Sequence, residues 1–179
     1  MFTAAEDIHR ALLERWRKAM NLVGPGPVDP HFIDAVGAVD GLNATGRWAD
    51  LGSGAGFRGI ALAARHPGAS VLLVESRAKR ATFLAQVIRE AKLDNATVYH
   101  GRVEDLTPGF DGIISRAFRP PEAYLQDAER LLTSGGRAVL LSGDPPAHFA
   151  GWIVEETVEY AVADGTRTRT SMTRGSIEV

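Results

Sequence analysis

The chain has 179 residues, 45% of them hydrophobic and 23% charged, a length and balance typical of a single globular domain with its own core. It contains no cysteine, which excludes disulfides, thiolate metal sites and cysteine nucleophiles and suits a reducing cytoplasm. A net charge of −2 gives no overall attraction to nucleic acid, and no apolar run approaches the length of a membrane span. We therefore expect one cytoplasmic domain over residues 1–179 without membrane contact, and we favour a monomer.

The N-terminal part of the chain has helical periodicity. Ile8, Leu12 and Trp16 recur at the spacing of one helix face, and a segment rich in proline and glycine then breaks the pattern. We interpret residues 1–45 as a helical appendage on a core formed by residues 46–179. The predicted helices of this part are residues 3–20 and 31–42.

The rest of the chain alternates between short apolar runs and helical patterns, which predicts parallel strands joined by helices. Near the C-terminus the pattern changes to two strands separated by a turn at residues 163–165, so the last strand pairs are predicted to be antiparallel. The predicted strands are residues 47–51, 70–75, 96–100, 112–115, 137–142, 152–163 and 168–179, and the predicted helices are residues 59–65, 77–91 and 121–132.

A glycine-rich loop follows the first predicted strand with the spacing Asp50-x-Gly52-x-Gly54-x-Gly56, and a helix follows the loop. Residues without a Cβ atom let a ligand approach the backbone closely. Glu75 ends the next strand, where α/β nucleotide sites hold ribose hydroxyls with an acid. The carboxylate of Asp50 would repel the pyrophosphate of a dinucleotide but suits the ammonium and sulfonium groups of S-adenosylmethionine. The pattern therefore predicts a methyl-donor site, since a turn built for packing alone would leave Glu75 unexplained.

Three arginines follow the ends of predicted strands, where ligands bind in open α/β sheets. They are Arg58 in the glycine loop and Arg116 and Arg119 after a later strand. We expect them to converge on the rim of one pocket and to position the substrate, although ordinary surface charge is the alternative. The five histidines show no metal-ligand spacing, so we expect no metal site.

Several sequence blocks are more particular than the glycine loop. The blocks are DLGSGAGF (50–57), ESRAKRATFL (75–84), GRVED (101–105) and FDGIISRAF (110–118), with NLV at 21–23 and FIDAV at 32–36. Together they resemble the RsmG (GidB) family, which uses S-adenosylmethionine to methylate N7 of a guanine in bacterial 16S ribosomal RNA. The resemblance implies a class I methyltransferase fold: a Rossmann-like sheet, mostly parallel with a C-terminal antiparallel hairpin, preceded by two helices. It also implies 16S rRNA or the small ribosomal subunit as the partner.

The resemblance also implies roles for individual residues. Gly52 and Phe57 are expected to contact the methyl donor from the glycine loop, and Val103 and Glu104 are expected to lie against its adenine. Arg116 is expected to face the methionine part of the donor or the substrate. Guanine N7 carries a free lone pair, so its methylation needs alignment of the reactants rather than a general base. We therefore name no catalytic residue.

The chain departs from the family pattern on the side expected to face RNA. Arg58 stands where the family usually has proline, Ser142 stands where it usually has lysine, and residues 167–174 replace its usual apolar run ending in lysine. Two other hypotheses stay open on this ground. The chain could methylate a small molecule or a protein, or it could be a non-catalytic remnant that binds S-adenosylmethionine or RNA.

Overall fold

The computed structural model describes residues 1–116, 118–143 and 148–175. Helix α1 (Ala4–Met20) begins at a capping box, in which the Thr3 hydroxyl accepts the Glu6 N–H and the Glu6 carboxylate accepts the Thr3 N–H. It ends at Asn21, whose φ of 50° lies in the left-handed region. Helix α2 (Asp29–Val39) follows after the predicted break.

The remaining elements form a seven-stranded sheet with helices on its faces. The strands are β1 (Gly46–Leu51), β2 (Ala69–Glu75), β3 (Ala96–His100), β4 (Phe110–Ser115), β5 (Leu132–Ser142), β6 (Trp152–Val162) and β7 (Gly165–Arg174). The helices are α3 (Phe57–Arg65), α4 (Ala78–Ala91) and α5 (Pro121–Leu131), and a 3-10 turn, Val103–Asp105, follows β3.

The strand order is β3-β2-β1-β4-β5-β7-β6. The first five strands pair in parallel, whereas β7 pairs antiparallel with both β5 and β6. This confirms the predicted Rossmann-like sheet with its C-terminal hairpin.

Two strands begin three or more residues before their predicted starts. Strand β5 begins at Leu132, which pairs with Phe110 before an irregularity in the ladder, and regular pairing resumes at Arg137. Strand β7 begins at Gly165 rather than at residue 168, because the hairpin turn is only two residues long. The predicted end of this strand, residues 176–179, lies outside the described residues.

The core occupies both faces of the sheet because side chains alternate along the buried strands. On β1, Trp48 faces a cluster that includes residues of α1, α2, α3 and α4, while Ala49 and Leu51 face a second cluster that includes α5. Helices α1 and α2 supply core residues such as Leu13 and Phe32. Among the described residues, no helix combines the length and the apolar character needed to cross a membrane.

Candidate functional site

A cavity of about 590 Å³ opens at the carboxyl edge of the sheet, where β1 and β2 end. Its volume falls in the range of about 300–1,000 Å³ that small-molecule sites occupy. The cavity also lies near the point where the strand order reverses between β1 and β4, the usual ligand position in doubly wound sheets. Its walls include Gly52, Glu75, Arg77, Arg80, Val103, Glu104, Arg116, Phe118 and Arg119.

The glycine loop turns from β1 into α3 through three left-handed residues. Gly52, Gly54 and Gly56 have φ values of 69°, 59° and 86°, which residues with a Cβ atom rarely adopt. A Cβ atom on Gly52 would lie 2.3 Å from the ring of Phe118, and one on Gly56 would lie 2.4 Å from Leu84. Gly52 therefore brings the backbone to the cavity wall, whereas Gly56 allows the loop to pack against α4.

Glu75 connects the loop to the end of β2. Its carboxylate is 5% exposed; Oε2 accepts the Gly54 N–H at 2.9 Å and Oε1 accepts the Arg77 N–H at 2.8 Å. Each carboxylate oxygen has a second lone pair, so Glu75 keeps acceptor capacity for hydroxyl groups of a ligand in the cavity. The two backbone bonds fix the orientation of this carboxylate.

Asp50 lies beneath the loop and does not line the cavity. It is 2% exposed, and its Oδ2 accepts the Gly59 N–H at 3.0 Å in the first turn of α3. Because the N-cap residue of α3, Gly56, has no side chain, Asp50 takes the place of a capping side chain. Burial raises the pKa of the Asp50 carboxyl. Asp50 thus supports the loop from beneath, and its predicted contact with a cationic ligand stays a prediction.

Phe57 also lies away from the cavity. Its ring stacks on His31 with centroids 5.0 Å apart and meets the edge of Phe32 at 5.1 Å. Only 6% of Phe57 is exposed, so it packs α3 against α2. The donor contact that the resemblance implies for Phe57 stays a prediction.

The turn after β3 forms another wall of the cavity. Val103 is buried and lines it, and Glu104 beside it is half-exposed and pairs with Arg119. A hydrogen bond from its own backbone N–H, together with the bond from Arg119, lowers the pKa of Glu104. Arg119 also donates to Asp127 at 2.8 Å and lies over the Phe118 ring at 4.8 Å from its centroid. Arg119 thus holds the Glu104 wall in place.

Asp34 of α2 is the centre of an ionic cluster at the other side of the site. It is 3% exposed, and its carboxylate contacts the guanidinium groups of Arg58 at 3.1 Å, of Arg167 at 3.5 Å and of Arg116. The Tyr160 hydroxyl donates to the same carboxylate at 3.0 Å. Burial and the neighbouring Arg58 lower the pKa of Arg116. We call these five residues the Asp34 cluster.

Two of the three arginines that were predicted to converge on one pocket line this cavity, and the role of all three in positioning the substrate stays a prediction. Arg116 and Arg119 line the cavity, but Arg58 is 14% exposed, pairs with Asp34 and does not line it. A second cavity of about 250 Å³ lies beyond Arg116, between α2 and the turn from β6 to β7, and it is lined by Arg116 and Arg167 among others. Arg116 therefore separates two cavities.

Within the described ranges, no group of three or more histidines and carboxylates could hold a metal ion.

Asp34, Tyr160 and Arg167 were not predicted as site residues. Asp34 falls in the FIDAV block, so a block of family-like residues on a surface helix was the available signal. Tyr160 is 126 residues from Asp34 along the chain, and local periodicity carries no information on such a pairing.

Comparison with known proteins identifies related sequences. Residues 5–161 match the family GidB, described as rRNA small subunit methyltransferase G. A ribosomal RNA small subunit methyltransferase G from Pseudomonas entomophila (strain L48) is 41% identical over 144 residues, 76% of this chain and 67% of that protein. The protein of the same description from Pseudomonas putida (strain GB-1) is 40% identical over the same shares.

Solved structures share the fold at low sequence identity. A putative O-methyltransferase from Klebsiella pneumoniae superposes with a TM-score of 0.69 at 17% identity, covering 98% of this chain and 92% of that chain. A SAM dependent methyltransferase from Aquifex aeolicus superposes with a TM-score of 0.63 at 13% identity, covering 96% of this chain and 99% of that chain. At these identities the likeness shows the fold alone, which is that of class I methyltransferases.

Proposed function

This chain belongs to the GidB family, rRNA small subunit methyltransferase G, and from that membership we propose that it methylates N7 of a guanine in 16S rRNA. As a family member it is a methyltransferase that depends on S-adenosylmethionine. The proposal adds the acceptor atom, the residues that hold the donor, and the acceptor RNA. A monomer in the cytoplasm is part of the same proposal.

The main support for the donor site is Glu75, which is buried and held by hydrogen bonds from two backbone N–H groups. It lines a cavity whose volume suits a nucleoside-sized ligand and keeps free acceptor capacity there. In our proposal Glu75 accepts the ribose hydroxyls, and Val103 packs against the adenine. Gly52 lines the donor cavity, and its missing Cβ atom leaves room for the Phe118 ring, which a side chain at this position would displace from the cavity wall.

Arg116 supports the assignment of an acceptor side. It lines both cavities and is held by Asp34, so its guanidinium has a fixed position between them. A residue in this place can contact the donor on one side and the acceptor on the other. We therefore assign Arg116 to positioning of the two reactants.

The chemistry requires orientation more than acid–base catalysis. When bound, S-adenosylmethionine supplies an electrophilic methyl group. Guanine N7 has a lone pair and no proton, so no side chain has to remove a proton from this atom. The residues around both cavities have to align the reactants and exclude water, and such positioning can lower a barrier by about 7–11 kcal/mol.

Transfer of labelled methyl groups to a set of acceptors tests the proposed acceptor class. The wild-type protein is incubated with labelled S-adenosylmethionine and with naked 16S RNA, assembled small subunits, bulk protein or a small-molecule extract. We expect label in the RNA fraction, and comparing naked RNA with subunits identifies the better substrate. Label found only in protein or in small molecules would replace the proposed acceptor, and no transfer from a bound donor would favour a non-catalytic protein.

A further inference from the structure

The second cavity lies beside a cluster in which arginines outnumber carboxylates. Three guanidinium groups, those of Arg58, Arg116 and Arg167, surround the single carboxylate of Asp34. One further carboxylate on the cavity wall belongs to Asp164, which is exposed in the hairpin turn and is screened by water. With Arg58, which contacts Asp34 from outside the wall, three guanidinium groups face two carboxylates, so one positive charge is in excess.

The arginine side chains of this cluster also keep part of their donor capacity and of their surface available to a ligand. In the part of the chain that the structure describes, the buried Nε of Arg58 makes no hydrogen bond, and the buried Nε of Arg167 has only its 3.5 Å ion-pair contact with Asp34. The side chain of Arg167 keeps 27% of its surface exposed and that of Arg116 keeps 23%, and both line the second cavity. Guanidinium groups present several N–H donors in a plane, which fits the oxygens of a phosphate group.

His31 and the start of α2 complete the wall. His31 lies in the first turn of α2, but neither His31 nor Pro30 offers a free backbone donor there, because the His31 N–H donates to the Val28 carbonyl at 3.0 Å and proline has no N–H. Burial and the neighbouring Arg58 and Arg116 lower the pKa of His31, which therefore offers a neutral ring that can still donate one N–H. At about 250 Å³ the cavity is smaller than a typical small-molecule site, so it suits one group of a larger ligand.

We propose that the second cavity is a phosphate-binding subsite in which Arg116 and Arg167 hold a backbone phosphate of the acceptor RNA. This inference rests on the proposed function for the identity of the RNA. Asp34 acts as a positioning residue, because it fixes the guanidinium groups on one side of the phosphate. The subsite shares Arg116 with the donor cavity, so a phosphate bound there anchors the RNA beside the methyl donor.

Substitution of Arg167 tests the subsite, and Arg174 provides a matched control. Both residues belong to β7, but Arg174 lies at the far end of the strand, pairs with Glu129 and lines neither cavity. The substitutions Arg167→Gln and Arg174→Gln remove the same charge from the same strand. Arg167→Lys keeps the charge without the planar donor group, and it also serves if Arg167→Gln does not fold.

Two readouts are measured, neither of which depends on methyl transfer. The first is the rise in Tm produced by inorganic phosphate relative to chloride at equal ionic strength. The second is the salt dependence of binding to a labelled single-stranded RNA oligonucleotide. We expect phosphate to raise the Tm of the wild type and of Arg174→Gln but not of Arg167→Gln. We also expect Arg167→Gln alone to weaken RNA binding roughly tenfold or more and to reduce the salt slope by about 0.7, the value for one phosphate contact.

Arg167→Lys should keep the salt slope and lose part of the affinity, since its charge remains. Equal behaviour of Arg167→Gln and Arg174→Gln, or no effect of phosphate on the wild-type Tm, would overturn the subsite. A phosphate effect that depends on Arg167 without any change in RNA binding would overturn the assignment to RNA and leave a site for free phosphate. Calorimetry with S-adenosylhomocysteine confirms that each variant keeps its donor site, so failure of the subsite can be told from failure of the proposed function.

Discussion

At the scale of single residues, Glu75 has two tasks that one substitution removes together. Glu75→Ala takes away the acceptor of the Gly54 and Arg77 N–H groups as well as the proposed ribose contact. We expect the affinity for S-adenosylhomocysteine to fall by roughly 1.5–3 kcal/mol per charged hydrogen bond lost. We also expect the free energy of unfolding to fall by about 1–3 kcal/mol, because a buried donor loses its partner. Calorimetry and urea denaturation measure the two effects, and an unchanged affinity in a folded variant would place the ribose elsewhere.

Gly52 allows the steric part of the donor site to be tested with a close control. Gly52 has φ 69° and its Cβ position lies 2.3 Å from Phe118, whereas Gly41 has φ 68° and no atom within 4 Å of its Cβ position. Both alanine variants therefore carry the left-handed backbone cost of about 1–2 kcal/mol, but only Gly52→Ala disturbs the cavity wall. We expect Gly52→Ala to abolish S-adenosylhomocysteine binding and Gly41→Ala to keep it. Equal affinities in calorimetry would show that Phe118 and the loop do not shape the donor site.

Asp34 and Asp29 lie on the same helix and differ in burial. The Asp34 side chain is 4% exposed among three arginines, whereas the Asp29 side chain is 48% exposed and pairs with Arg10. Breaking a buried ion pair from one side costs about 3–5 kcal/mol, while an exposed pair contributes about 0–1 kcal/mol. We expect Asp34→Asn to lower the free energy of unfolding by the larger amount and Asp29→Asn by the smaller one in urea denaturation. Similar losses would mean that the arginines are stable without the central carboxylate.

At the scale of elements, α1 is joined to the glycine loop through His9. The ring is 1% exposed, and its Nε2 lies 2.8 Å from the Ala55 carbonyl oxygen, to which the neutral ring donates its N–H. Burial lowers the pKa of His9 to about 4. The unfolded chain, with an ordinary histidine pKa near 6.5, therefore binds more protons than the folded chain between these two values.

Folding stability should consequently fall as the pH is lowered from about 6.5 to about 4, and His9 should account for about 3 kcal/mol of that loss. In His9→Gln the amide can still donate to Ala55, but the titration is removed. The difference between wild-type and variant unfolding free energies, measured by urea denaturation across this pH range, should change by that amount. A constant difference across this pH range would contradict the assignment of the stability loss to His9.

Some strand boundaries were predictable from the sequence and others were not. The buried strands β1, β2 and β4 follow from apolar runs of the right length, and their ends at Leu51, Glu75 and Ser115 coincide with the prediction. The start of β5 was not predictable, because residues 133–136 are threonine, serine and two glycines, which resemble a loop. Pairing of Leu132 with Phe110 of β4 begins the strand before this irregular segment, a tertiary effect that local propensity does not contain.

At the scale of the whole molecule, the donor side was more accessible to sequence reasoning than the acceptor side. Gly52 and Glu75 lie within one strand–helix–strand pattern, the resemblance to the family added Val103, and all three line one cavity. The Asp34 cluster depends on contacts across 24, 82 and 126 residues of chain, and it uses α2, which was interpreted as part of an appendage. The division into an appendage and a core stays a prediction.

Mapping the modified atom tests the central proposal most directly. Small subunits or 16S RNA are methylated with labelled S-adenosylmethionine, and the RNA is then treated with reagents that cleave the chain at N7-methylguanine. The proposal predicts label in 16S RNA and a single cleavage at a guanine, both absent with the Gly52→Ala variant and present with Gly41→Ala. Label in RNA without cleavage would contradict the N7 assignment, and absence of label in RNA despite S-adenosylhomocysteine binding would contradict 16S rRNA as the acceptor.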